Sequence, residues 1–92
     1  MVMGQNLFQE GMLVRTKWRR YLSPDFGPFA IKISPQDLSR CLQTNIIPRI
    51  HFENLPQNSP AVVIRLLENN DTIILMGENL YCIKSDFLEP LQ

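Results

Sequence analysis

Ala61-Val62-Val63-Ile64-Arg65-Leu66-Leu67-Glu68-Asn69-Asn70-Asp71-Thr72-Ile73-Ile74-Leu75-Met76-Gly77-Glu78-Asn79-Leu80-Tyr81-Cys82-Ile83-Lys84-Ser85-Asp86-Phe87-Leu88-Glu89-Pro90 is the stretch that decides the fold. Ala61 to Glu68 is β-branched and almost wholly apolar, the pattern of a strand covered on both faces or bent into a barrel. Asn69-Asn70-Asp71 supplies residues that tolerate positive φ, and Thr72 to Met76 resumes the extended run, so the two form a hairpin. Gly77-Glu78-Asn79 makes the next turn, and Leu80 to Lys84 the strand after it. Ser85-Asp86-Phe87-Leu88 reads as a single helical turn capped by Ser85, leading into Glu89-Pro90.

Working outward from that meander, Met12 to Tyr21 reads as an earlier strand. Met12, Val14, Thr16 and Trp18 share one face at period two, and Arg15, Lys17 and Arg19 share the other, which makes it half-buried with a basic outer face. Ser23-Pro24-Asp25-Phe26-Gly27-Pro28 carries two prolines and a glycine, so the chain leaves the sheet there in a loop. Phe29 to Ile33 is a short strand. Ser34-Pro35-Gln36-Asp37 matches a helix start, with Ser34 as N-cap and Pro35 at the first helical position, and predicts a helix over Pro35 to Gln43. Its apolar members Leu38, Cys41 and Leu42 form a stripe that would sit on one mouth or edge of a sheet. Asn45 to Phe52 reads as an extended or edge segment, because Pro48 cannot donate to a central ladder.

Bulk properties bound the function classes. The chain has 92 residues, 45% hydrophobic and 20% charged, which suits one small domain rather than a disordered segment. Residues 1–7 are expected to be disordered and residues 8–92 to form the single domain. Net charge is zero, but residues 1–49 hold seven lysines and arginines against three acids, and the remainder holds two against six. The two halves could pair within the fold or present differently charged surfaces to a partner. The start lacks the basic and apolar runs of a secretory signal, and no stretch is long and apolar enough to span a membrane, so a soluble, cytoplasmic protein with no membrane contact is expected. Cys41 and Cys82 are the only cysteines; widely separated, they are expected to be reduced and packed as small hydrophobes.

The opening strand after Gly11 (Met12-Leu13-Val14-Arg15), the two hairpins and the closing Leu80-Tyr81-Cys82-Ile83-Lys84-Ser85-Asp86-Phe87-Leu88-Glu89 together resemble the SH3-like small barrel. The resemblance covers about half of the chain and implies a mainly β fold: a barrel of about five strands, a short helix inserted near residues 35–43, and a terminal helical turn. Within that class, Ile83 to Glu89 after a glycine-containing turn, with a proline-rich excursion after the first strand, is similar to small cyanobacterial SH3-like regulators that bind a sensor histidine kinase. The helix expected over Ser34 to Gln43 has no counterpart in them, and the glycines of their middle turns are missing. The plasmid-borne dihydrofolate reductase, also SH3-like, carries Val-Gln-Ile-Tyr on its pore-lining strand; here the stretch is Leu80-Tyr81-Cys82-Ile83-Lys84, without the ligand-contacting glutamine. Proline-reading signalling SH3 domains need an aromatic-rich groove with an acidic loop, and Trp18, Tyr21 and Phe26 are not arranged that way.

Two features carry candidate chemistry. Arg15, Lys17, Arg19 and Arg20 interleave with Trp18 and Tyr21, as phosphate contact and base stacking require, yet the same face could be solvated or could meet a protein or a small anion. The loop from Tyr21 to Phe29 gathers Tyr21, Phe26 and Phe29 between rigid breakers, which suits either a protein-docking surface or a plug in the barrel mouth. His51 is the sole histidine; Glu53 shares its strand face and could pair with it. No catalytic motif or metal-ligand spacing is present, so no enzyme activity, cofactor or metal is expected. The expected function is an adaptor or regulator that docks on a larger protein through Arg15, Lys17, Arg19, Arg20, Tyr21, Phe26 and Phe29. The alternative is a nucleic-acid-binding barrel that contacts phosphates through the basic strand. An exposed barrel edge would also let the chain homodimerise.

Overall fold

The computed structural model describes residues 8–17, 29–47, 51–68 and 70–91. Among these, seven strands and one α-helix follow in the order β1 (Leu13–Thr16), β2 (Phe29–Ile33), α1 (Pro35–Thr44), β3 (Phe52–Asn54), β4 (Pro60–Leu66), β5 (Asp71–Met76), β6 (Asn79–Lys84), a 3₁₀ turn (Ser85–Phe87) and β7 (Leu88–Pro90). All pairings are antiparallel and make one sheet in the order β3-β2-β6-β5-β4-β1-β7. Seven strands replace the expected five or so because the antiparallel pair of β2 and β3, joined through α1, extends the sheet beyond β6. β3 and β7 stand at its two ends, and the sheet is open.

The meander folds as its residue types dictate. β5 and β6 pair from Asp71↔Lys84 to Met76↔Asn79, so the loop between them is the two residues Gly77-Glu78. Gly77 takes φ 64°, the left-handed value that such tight hairpins demand and glycine adopts without steric cost. β4 breaks register between Val63 and Arg65. This bulge leaves Ile64 unpaired and bends the strand, so Leu66 packs on one face of the sheet and Ile64 and Leu67 on the other.

Both faces of the sheet are apolar over part of their area. One core gathers Phe8, Val14, Ala30, Leu55, Ala61, Val63, Ile74, Tyr81, Ile83 and Leu88. The second gathers Ile31, Ile33, Ile73 and Cys82 beneath Cys41, with Leu38, Leu42 and Ile47 packed against them. Ile73 and Ile74 are adjacent and both wholly buried, because successive strand residues point to opposite faces and here each face is covered. The helix therefore lies across the outer face of β2, β6 and β5 rather than on a mouth or edge of the sheet.

Helix α1 runs to Thr44, one residue past expectation, and ends at Asn45 in the left-handed region (φ 57°) with its N–H donating to the Cys41 carbonyl at 2.9 Å. Ser34 occupies the N-cap position, but its hydroxyl donates to Asp37 Oδ2 at 2.9 Å and makes no side-chain cap to the backbone. Ser85 likewise is no cap: it lies inside the 3₁₀ turn, buried, with its Oγ 2.6 Å from Thr72 Oγ1. Cys41 and Cys82 are both free and buried, as expected. Burial, reinforced by the charge of Asp37, pushes the Cys41 thiol above its ordinary pKa, which keeps it protonated and a poor nucleophile.

Candidate functional site

Helix α1 covers only part of the outer face, and the uncovered part is aromatic. On β2 the alternation places Phe29, Ile31 and Ile33 outward and Ala30 and Lys32 on the opposite face. Ile31 and Ile33 are buried in the second core. Phe29, two residues earlier, is 63% exposed, and Phe52, which faces Ile31 across the strand pair, is 56% exposed. Ile46, just past the helix, is 69% exposed.

Phe29 and Phe52 flank a groove of about 140 Å³ whose floor includes Ile31, Ile47 and Cys82. Lys84 and Asp71 stand at its rim, joined by a 2.9 Å ion pair. Continuing the β2–β6 register by two residues sets Lys84 beside Phe29. The site is thus an apolar slot with one cation and one anion at its lip, shaped to take an aliphatic or aromatic side chain with a polar neighbour.

The opposite face of the same strand pair is polar. Tyr81 donates its hydroxyl to Glu53 Oε2 at 2.8 Å, and Lys32 Nζ lies 3.9 Å from Glu53 Oε1. Lys32, Ser34, His51 and Glu53 line a second, wider depression of about 330 Å³. Glu53 therefore serves Tyr81 and Lys32, and not His51, with which it could have paired on the shared strand face. Burial and then the Glu53 carboxylate raise the Tyr81 pKa above 10.0, so the phenol holds its proton and the network ties β3 to β2 and β6 without furnishing a base.

The structure separates the expected contact residues. Arg15 on β1 lies directly opposite Glu89 on β7, with its Nε 2.7 Å from Oε1. Lys17 follows β1, its backbone N–H donating to the Phe87 carbonyl at 2.9 Å. Phe29 lies on β2, and β6, β5 and β4 intervene between β2 and β1. Arg19, Arg20, Tyr21 and Phe26, with Trp18, lie outside the described residues. Phe52, Ile46 and Ile47 were not among the expected contacts; the signal for Phe52 was its place between polar His51 and Glu53 on a segment already read as an edge.

No group of three or more His, Cys, Asp or Glu among the described residues could hold a metal ion, and no helix among them is long and apolar enough to cross a membrane. No protein-family model, no curated protein and no solved structure matches the chain.

Proposed function

We propose that the chain is a non-enzymatic adaptor or regulator that docks on a larger protein, inserting a partner side chain into the groove between Phe29 and Phe52. The observation that carries this reading is the exposure of two aromatic rings on one face of the paired strands β2 and β3, since aromatic side chains carry much area at little entropic cost and anchor interfaces. The proposal also takes β6, β5, β4, β1 and β7 as an SH3-like small barrel to which the β2–β3 pair and α1 are added. The placement of β1 between β4 and β7, and the 3₁₀ turn before β7, support that reading. The similarity of Ile83 to Glu89 to kinase-binding cyanobacterial regulators belongs to the same proposal. Two free, buried cysteines support a reducing compartment.

Affinity purification followed by mass spectrometry, with and without nuclease, tests it. The wild-type chain retains a defined protein that Phe29→Asp loses, and nuclease leaves that retention unchanged. Equal retention by both forms overturns the groove as the site. Retention that disappears with nuclease and falls with salt by a log–log slope of about −0.7 per phosphate would favour the nucleic-acid reading. The Arg15–Glu89 pair weighs against that reading, because it already engages one of the strand's cations.

A further inference from the structure

β3 ends the sheet, and its free side has a defined pattern. The Lys32 N–H donates to the His51 carbonyl at 2.8 Å, so Lys32 and His51 form a hydrogen-bonded pair. Ladder bonds alternate along an antiparallel pair, and the next such pair is Ala30 with Glu53. The N–H and C=O of Phe52 therefore point away from β2, and no strand among the described residues covers them.

From this geometry we infer that β3 pairs antiparallel with β3 of a second copy of the chain, about a two-fold axis through Phe52. In that register the Phe52 N–H of each copy donates to the Phe52 carbonyl of the other, and the two exposed rings lie side by side on the apolar face. On the polar face Glu53 of each copy stands opposite His51 of the other, so an imidazole N–H faces a carboxylate acceptor. A register centred one residue on would set Glu53 opposite Glu53, and like charges directly opposed destabilise a ladder. Repulsion between the two Glu53 carboxylates thus favours the register centred on Phe52. A three-residue strand buries less than a standard interface, so the dimer is reversible and concentration-dependent.

The dimer goes beyond the docking reading and is separable from it, because His51 faces away from the groove. Sedimentation velocity over a concentration series shows the wild-type chain as a dissociating dimer. His51→Glu places like charges opposite each other twice and raises the dimer dissociation constant about tenfold, while partner retention through Phe29 is unchanged. Phe52→Cys cross-links to itself under mild oxidation, because residues opposed in a hydrogen-bonded pair lie about 5.5 Å apart at Cα, within disulfide reach. Asn54→Cys does not, since its counterpart is offset by four residues, roughly 13 Å along the strand. Cys41 and Cys82 are buried and do not compete. A wild-type chain that stays monomeric throughout, a His51→Glu dimer as tight as wild type, or equal cross-linking at the two cysteine positions overturns the inference.

Discussion

The meander from Pro60 to Pro90 and the strand pair of β2 and β3 belong to one sheet but are covered differently. In the meander, β5 is covered on both faces over Ile73 and Ile74, each wholly buried. In the strand pair, Ala30 and Ile31 are buried but Phe29 and Phe52 are not. On the face that α1 packs against, side-chain chemistry is apolar in both regions, and the position of α1 makes the difference. Ten helical residues shield Ile31, Ile33 and Ile73 and stop short of Phe29. Among the described residues, Phe29, Ile46 and Phe52 are therefore left exposed near this end of the sheet, and Leu13 on β1 is exposed near the other.

The comparison can be broken first at its strongest point. Ile74→Ala removes a fully buried side chain from the first core and should cost about 2–5 kcal/mol, read as a lowered urea midpoint. Thr72→Val removes the buried hydrogen bond between the Thr72 and Ser85 hydroxyls and should cost about 0.5–1.5 kcal/mol, read the same way. Tyr81→Phe removes the hydrogen bond to the half-exposed Glu53 and should cost about 1 kcal/mol near neutral pH. It should also change the alkaline limb. The folded Tyr81 holds its proton above the ordinary value of 10.0, so the folded state binds more protons there than the unfolded state. That stability is fully present below pH 10 and is lost as pH rises through the folded value. A fall in the wild-type midpoint above pH 10 that is absent in Tyr81→Phe is the expected result, and parallel curves would contradict it. At the other extreme, Phe29→Asp should change stability by less than about 0.5 kcal/mol while removing the proposed docking surface. A large loss of stability would show that Phe29 belongs to the core after all.

The meander was legible because its cues are local: β-branched runs, Asn-Asn-Asp and Gly77 act within a few residues. The helix was legible for the same reason, through Ser34-Pro35 and the spacing of Leu38, Cys41 and Leu42. Its location was not, since an apolar stripe says that a helix packs but not on which surface. Ile73 lies beside the equally apolar Ile74, and Cys82 between Tyr81 and Ile83, so periodicity alone could not reveal that two cores share β5 and β6. The candidate site shows the same limit. Arg15 and Phe29 looked like parts of one surface from their closeness in sequence, whereas three intervening strands separate them. Glu89, which engages Arg15, lies 74 positions away, a distance over which charge pairing leaves no local trace.

That last pairing also governs the order in which the molecule can assemble. β1 is bracketed by β4 and β7, so Val14 pairs with Ala61 on one side and Pro90 on the other. Nearly the whole chain must be made before the earliest strand finds both neighbours, and contacts this distant in sequence are slow to form because loop closure precedes their reward. Until Leu88 arrives, the nascent first core stands open beside β1. The period between synthesis of β4 and docking of β7 is then the one in which the chain is most exposed to misassociation.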